Sequence, residues 1–206
     1  MIDLSAILAS PLVEGFDRRV DRLADGLRGS ETADRVMYGI SEAANHSILW
    51  HSINAVDALV GGPAHRRPAL RRSIILATEQ ALVNGAVKAV FRRDRPTPAM
   101  ESPHRLRRPR TSSFPSGHAS AGVCAATLLS EDLGMAPLWW ATAAVVSWSR
   151  VHVAVHHGSD IVGGLIVGRA LGVAASRVWP DSRRPAGPVD PSDRSSGVPS
   201  GVSSSS

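Results

Sequence analysis

Between residues 92 and 117 the chain carries Pro96, Pro98, Pro103, Pro109 and Pro115 together with Arg92, Arg93, Arg95, Arg105, Arg107, Arg108 and Arg110. Proline fixes φ and lacks an N–H, so a continuous helix is excluded here and the stretch reads as a long, positively charged loop. Long loops in compact domains are functional or disordered. The loop divides the chain into two apolar blocks, each of which has to be built from elements short enough to start and stop on its own side.

Those blocks read as helices. Residues 41–60 are apolar but carry Asn45, His46, His51, Asn54 and Asp57, and Gly61-Gly62-Pro63 ends them. Arg66, Arg67, Arg71 and Arg72 read as a short basic loop before a second helix over 73–91. Beyond the proline-rich stretch, small and apolar residues predict a helix over 118–133. A turn at Gly134 and Pro137 leads to one over 138–155 that begins with Trp139 and Trp140. The last covers 161–178, with glycines at 163, 164, 168 and 172 leaving one smooth face. At 1.5 Å per residue such segments reach across most of the ~30 Å hydrocarbon core of a bilayer. The expected fold is all-α: a membrane helical bundle of about five transmembrane helices.

Upstream, residues 14–37 alternate in charge with apolar residues at helical spacing, predicting an amphipathic helix lying on a surface or membrane interface. The expected organisation is an N-terminal interfacial segment over 1–40, the bundle over 41–179, and a disordered Pro/Ser/Gly-rich tail over 180–206. The first residues do not read as a signal peptide, since Met1–Val13 is short and broken by Asp3 and Pro11. Cys124 is the single cysteine, so no internal disulfide is possible. The net charge of +5 comes almost wholly from arginine, Lys88 being the one lysine, and favours anionic partners.

Three short segments carry chemistry. Lys88 stands in the last turns of one helix and Arg95, pushed out of helical geometry by Pro96, hangs at the loop entrance. A point charge and a planar fork suit phosphate oxygens, although alone they also read as solvated cations at a helix end. Phe114-Pro115-Ser116-Gly117-His118 makes a tight approach to a helix start, where free N–H groups and the helix dipole favour an anion. Ser116 adds a hydroxyl, Gly117 lets backbone approach, and His118 is placed to protonate a leaving oxygen. The bland alternative is a simple cap beside a surface histidine. The third segment, Ser149–Asp160, puts Arg150, His152, His156, His157 and Asp160 among Val151, Val153 and Val155, and such polar groups are costly to bury unless each has a partner or a task. His156 is spaced to attack phosphorus, Asp160 to hold its far ring nitrogen, and Arg150 to bind charge.

A metal site competes for the same letters. His152, His156 and Asp160 are spaced by four and four and would line one face of an unbroken helix. Gly158-Ser159 reads as a break, with Ser159 capping the next helix, and Arg150 would repel a cation; His152 and His157 are therefore assigned to packing or support.

Together the segments resemble the signature of the type 2 phosphatidic acid phosphatase family, which shares its site with vanadium-dependent haloperoxidases. Lys-x6-Arg-Pro falls on Lys88, Arg95 and Pro96; Pro-Ser-Gly-His on Pro115 to His118; Ser-Arg-x5-His-x3-Asp on Ser149, Arg150, His156 and Asp160. The resemblance implies a helical bundle and a phosphatase that needs no metal or other cofactor. It implies His156 as nucleophile, His118 as acid and then base, Asp160 as orienter, and Lys88, Arg95, Ser116, Gly117 and Arg150 around the phosphate. Two departures are visible: His157-Gly158-Ser159 where Tyr-Pro-Ser is commoner, and His152 where an aromatic often stands.

The expected activity is that of an integral membrane phosphatase acting on a lipid phosphate monoester or pyrophosphate. Phosphatidic acid, a polyprenyl (pyro)phosphate and a prenyl-linked sugar phosphate all fit, through a phosphohistidine, with the bilayer as partner and no nucleic acid. A vanadate-dependent haloperoxidase would use the same pocket on a larger soluble scaffold. A non-enzymatic basic membrane protein, or a nucleic-acid-binding protein using its arginines as a basic patch, would not need the catalytic spacing. With five crossings starting at residue 41, the ends that carry the three segments emerge on one side of the membrane. The arginines at 66–72 on the other side place the site facing outward from the cell membrane, although the site loop is as basic. Asn45, His46 and Trp50 read as internal packing before substrate contact.

Overall fold

The computed structural model describes residues 7–97 and 111–181, and every regular element among them is helical. Helices α1 (Pro11–Asp25) and α2 (Glu31–Ala43) are followed by a 3-10 turn, Asn45–Ser47, and by α3 (Ile48–Val60). Helix α4 (Pro63–Ala81) continues through a π-helical stretch, Leu82–Val87, into a last turn, Lys88–Val90. The other three are α5 (Gly117–Leu133), α6 (Ala136–His152) and α7 (Gly158–Val178).

Helix α5 is the axis of the molecule, because its small residues let neighbours close in from all sides. From Ala119 to Leu129 every residue is buried, and α7, α6 and α4 pack directly on it. Gly164, Gly168 and Gly172 recur every four residues and so share the face of α7 that meets α5. A Cβ on Gly168 would lie 2.1 Å from the Ser120 carbonyl oxygen, and one on Gly164 2.5 Å from that of Ser116. Only glycine permits that approach. Trp50, Leu76, Leu128, Leu129, Trp139 and Val146 fill the space on the other side of α5.

Several expectations need correction. The amphipathic segment over 14–37 is two helices, because Gly29 adopts φ 86 and turns the chain between them. The helix expected over 41–60 is broken where His46 and Ser47 take positive φ, 52 and 59, values a helix cannot hold. The arginines at 66–72 are not in a loop: Pro63 starts α4 at its first position, where a missing N–H costs nothing, and the helix runs straight through them. Arg71 and Arg72 are buried, Arg72 between Asp57 and Asp132 and Arg71 against Asp132, so they are spent on tying α3, α4 and α5 together. They give no support to an outward-facing site. The described parts of the proline-rich stretch, 91–97 and 111–116, are non-helical as expected; residues 98–110 and the tail beyond 181 lie outside the described residues.

Among the described residues one helix, Gly158–Val178, is long and apolar enough to cross a membrane by length and composition. Helix α3, at 13 residues, reaches only about 20 Å, and α5 and α6, at 17, about 25 Å. The outward faces are nonetheless apolar: Val56, Leu59, Val60, Leu70, Ile74, Val145, Val162 and Ile166 are all exposed.

Candidate active site

The three segments picked out by spacing come together at one end of the bundle. Ser116 caps α5, its Oγ accepting from Ala119 N at 3.4 Å, and its own N–H donates to the Asp160 carbonyl at 2.9 Å. The start of α5 is thereby fixed to the start of α7. His118, in the first turn of α5, is within charge–charge range of Arg150, His156, Lys88 and His46. Its Nε2 shares a hydrogen bond of 3.0 Å with Asn45 Oδ1, so the broken helix before α3 turns Asn45 inward onto the site.

Lys88 reaches the site because α4 changes pitch. On an unbroken α-helix Glu79 and Lys88 would lie about 180° apart; one extra residue in a π turn brings them to about 80°. Lys88 is buried within charge range of Glu79, Asp160, Arg95 and Arg150. Glu79 is buried too, accepting from the Ser120 hydroxyl and from Gln80 Nε2 at 2.8 Å, while Gln80 also donates to the Gly117 carbonyl at 3.0 Å. Asn84, in the π stretch, closes this chain on Gln80 Oε1 at 2.9 Å.

The turn between α6 and α7 holds His156, 2 % exposed. Its Nδ1 is 3.6 Å from Asp160 Oδ2, just beyond hydrogen-bond length, and has no hydrogen-bond partner among the described residues. Burial pushes the His156 imidazole down to about 4 from its ordinary 6.5, with Arg150 and Arg95 pushing the same way and the Asp160 carboxylate opposing them. The ring is therefore neutral at physiological pH and keeps a lone pair. The buried Arg150 donates to the hydroxyl and carbonyl of Ser41 at the end of α2, and its Nε has no hydrogen-bond partner among the described residues. Arg95 fastens the turn, with Nη1 to the Val155 carbonyl at 2.8 Å and Nη2 to those of Thr111 and Ser112 at 3.2 Å.

The metal arrangement does not form. His152 closes α6 and its Nε2 pairs with Asp34 Oδ1 at 2.8 Å, His156 lies in the turn, and Asp160 is on the next helix. Among the described residues no three His, Cys, Asp or Glu side chains are placed to share an ion. His157, not Ser159, is the N-cap of α7, accepting from the backbone while Asp160 Oδ2 accepts from His157 N at 2.8 Å. Asp160 thus braces its own helix start as well as facing His156.

Sequence reasoning missed an outer set of residues that had no motif to announce them. Arg28 donates from α1's trailing turn to the carbonyls of Val151 and His152, at 2.6 and 2.8 Å, capping the end of α6. Ser41, Asp34, Arg93 and Asp17 belong to the same set. Nothing in the letters marks them: Asp17 and Asp34 lie in a segment that reads as a solvated amphipathic face, and only the structure buries them.

Residues 70–184 match the family model of the PAP2 superfamily. The chain is 32 % identical over 149 residues to decaprenylphosphoryl-5-phosphoribose phosphatase of Mycobacterium tuberculosis, covering 68 % of this chain and 77 % of that protein. It is 30 % identical over 123 residues to the putative undecaprenyl-diphosphatase YbjG of Escherichia coli, 59 % and 62 % of the two chains. In fold it is similar to a transmembrane PAP2-type phosphatidylglycerolphosphate phosphatase from Bacillus subtilis, with TM-score 0.67, 24 % identity, and 85 % and 90 % of the chains covered. Aquifex aeolicus LpxE is also similar, at TM-score 0.61 and 19 % identity over 77 % and 93 % of the chains.

Proposed function

The chain belongs to the PAP2 superfamily, and from that premise we propose that it is a membrane-embedded phosphatase of lipid phosphates, with polyprenyl-linked phosphates as its first class of substrate. The observation that carries the reading is that Lys88, Arg95, Arg150 and Asp160, from separate elements, each lie within charge range of His118, of His156 or of both, and the two imidazoles of one another. The substrate class is taken from the names of the relatives, a decaprenylphosphoryl-sugar phosphatase and a putative undecaprenyl-diphosphatase.

In this reading the neutral His156 attacks phosphorus as the bond to the lipid oxygen breaks, and His118 gives that oxygen a proton. Asp160 draws up to Nδ1 as the imidazole gains charge. Water, losing a proton to His118, then displaces His156 and releases inorganic phosphate. Lys88, Arg150 and the amides at Ser116 and Gly117 stabilise the equatorial oxygens, and Arg95 both adds charge and holds the turn. The exposed apolar faces of α3, α4, α6 and α7 would lie in lipid, while Arg71, Arg72, Asp57 and Asp132 remain paired inside. Phosphate release from a decaprenyl phosphate, a decaprenyl-linked pentose phosphate and phosphatidic acid in detergent tests the reading. Release should persist in EDTA and disappear in His156→Ala; no release from any of the three, or full activity in that variant, overturns it.

A further inference from the structure

Behind Asp160, on the side away from His156, lies a charged strut that none of the three motifs contains. Arg93 Nη1 donates to Asp160 Oδ1 at 2.5 Å and to Ser159 Oγ at 2.7 Å, and its Nη2 donates to Asp17 Oδ2 at 2.6 Å. Asp17, on α1, accepts in turn from Ser159 N at 2.8 Å and Ser159 Oγ at 2.9 Å. Asp17 is 6 % exposed and Asp160 fully buried, so these are not surface pairs screened by water. Val20, one turn along α1, has its side chain 2.9 Å from where a Cβ on Gly158 would stand, which seats the helix directly on the start of α7.

We propose that Asp17 and Arg93 are positioning residues for the His156–Asp160 pair, and that helix α1 is through them a working part of the catalytic apparatus. The inference rests on the assignment of His156 as nucleophile and Asp160 as its orienter. Oδ2 of Asp160 is left to His157 N and His156, while Oδ1 is occupied by Arg93, which fixes the plane of the carboxylate. Asp17 holds Arg93 in place and balances its charge, so Asp160 keeps a negative charge to offer the imidazole. A displacement of about 1 Å at such a group costs up to about 100-fold in rate.

The charges make the test directional. His156 faces Asp160 from α7, Arg150 from α6, Arg95 from the loop and His118 from α5; Asp160 faces Lys88 from the last turn after α4 and Arg93, which faces Asp17. Arg93→Gln removes a positive charge behind Asp160, so the imidazole holds its proton more tightly and the acid limb of kcat/KM moves to higher pH. Asp17→Asn leaves Arg93 unbalanced, and the limb moves to lower pH. Each shift should be on the order of one pH unit, with kcat down about 10- to 100-fold and KM nearly constant. The double variant should return the limb toward that of the unmodified chain.

The measurement is a pH profile of phosphate release by the full-length chain in detergent, with melting followed in parallel. Limbs that do not move, or that move in the same direction in both single variants, overturn the proposal while His156→Ala still reports on the catalytic assignment. If one variant fails to fold, the sign of the other decides. If both fail to fold, the pair belongs to the supports of the fold and the proposal is overturned.

Discussion

At the scale of single residues, the candidate site is made of buried polar groups, most of which answer one another or a backbone carbonyl. His156 shows the consequence most directly. Burial keeps its imidazole neutral down to about pH 4, so the acid limb of kcat/KM for the free enzyme should fall well below 6.5, where an ordinary histidine titrates. A limb near 6.5 in the pH profile would contradict the assignment. Arg150 makes a second case, since its guanidinium is buried against Ser41. Ser41→Ala removes that acceptor at about 1–3 kcal/mol. Inhibition by orthovanadate, a tetrahedral oxyanion, should weaken by about tenfold, read as an increase in its inhibition constant. The residues of the three motifs were legible as candidates because their spacing is fixed. Ser41, Asp17 and Arg93 were not, because a serine in an apolar run or an arginine beside another arginine looks the same whether solvated or buried.

At the scale of elements, two backbone features decide how the segments meet. The π-helical stretch at Leu82–Val87 turns Lys88 toward the site, and a helix drawn from periodicity alone would point it elsewhere. The glycine face of α7 sets how deeply α5 sits against it. Gly168→Ala would drive a Cβ into the Ser120 carbonyl at 2.1 Å, a backbone atom with no rotamer to yield. The variant should lose about 1–3 kcal/mol and much of its activity together, because Ser116 and His118 ride on the displaced end of α5. Melting in detergent beside an activity assay checks both. The glycines were visible in the letters as a smooth face, but the partner of that face was not. The break at His46–Ser47 left no pattern at all, since neither residue is a helix breaker; tertiary packing around Asn45 overrides local preference there.

On the scale of the whole molecule, the ends of the bundle divide the work. One end gathers the candidate site residues; the other is fastened by Arg71, Arg72, Asp57 and Asp132, with Arg71 also donating to the Trp179 carbonyl. Removing one partner from a buried pair leaves the other charge uncompensated, at about 3–5 kcal/mol. Asp132→Asn should therefore lower Tm markedly while the protein that remains folded retains its KM, because the substitution is at the far end from His156. A variant with unchanged Tm would show that the cluster is solvated. The same cluster takes Arg71 and Arg72 out of any count of exposed charge at that end, while Arg66 and Arg67 stay exposed.

The helical class, the break between the two apolar blocks and the candidate site residues can all be read from the letters alone. Those follow from proline density, apolar periodicity and fixed motif spacing, all of which are local. That the N-terminal helices brace the turn carrying His156, that Arg71 and Arg72 are buried in ion pairs, and that Asn45 meets His118 emerges from the folded chain alone. Each depends on contacts between residues tens of positions apart, where burial rather than residue type determines what a charge or an amide does.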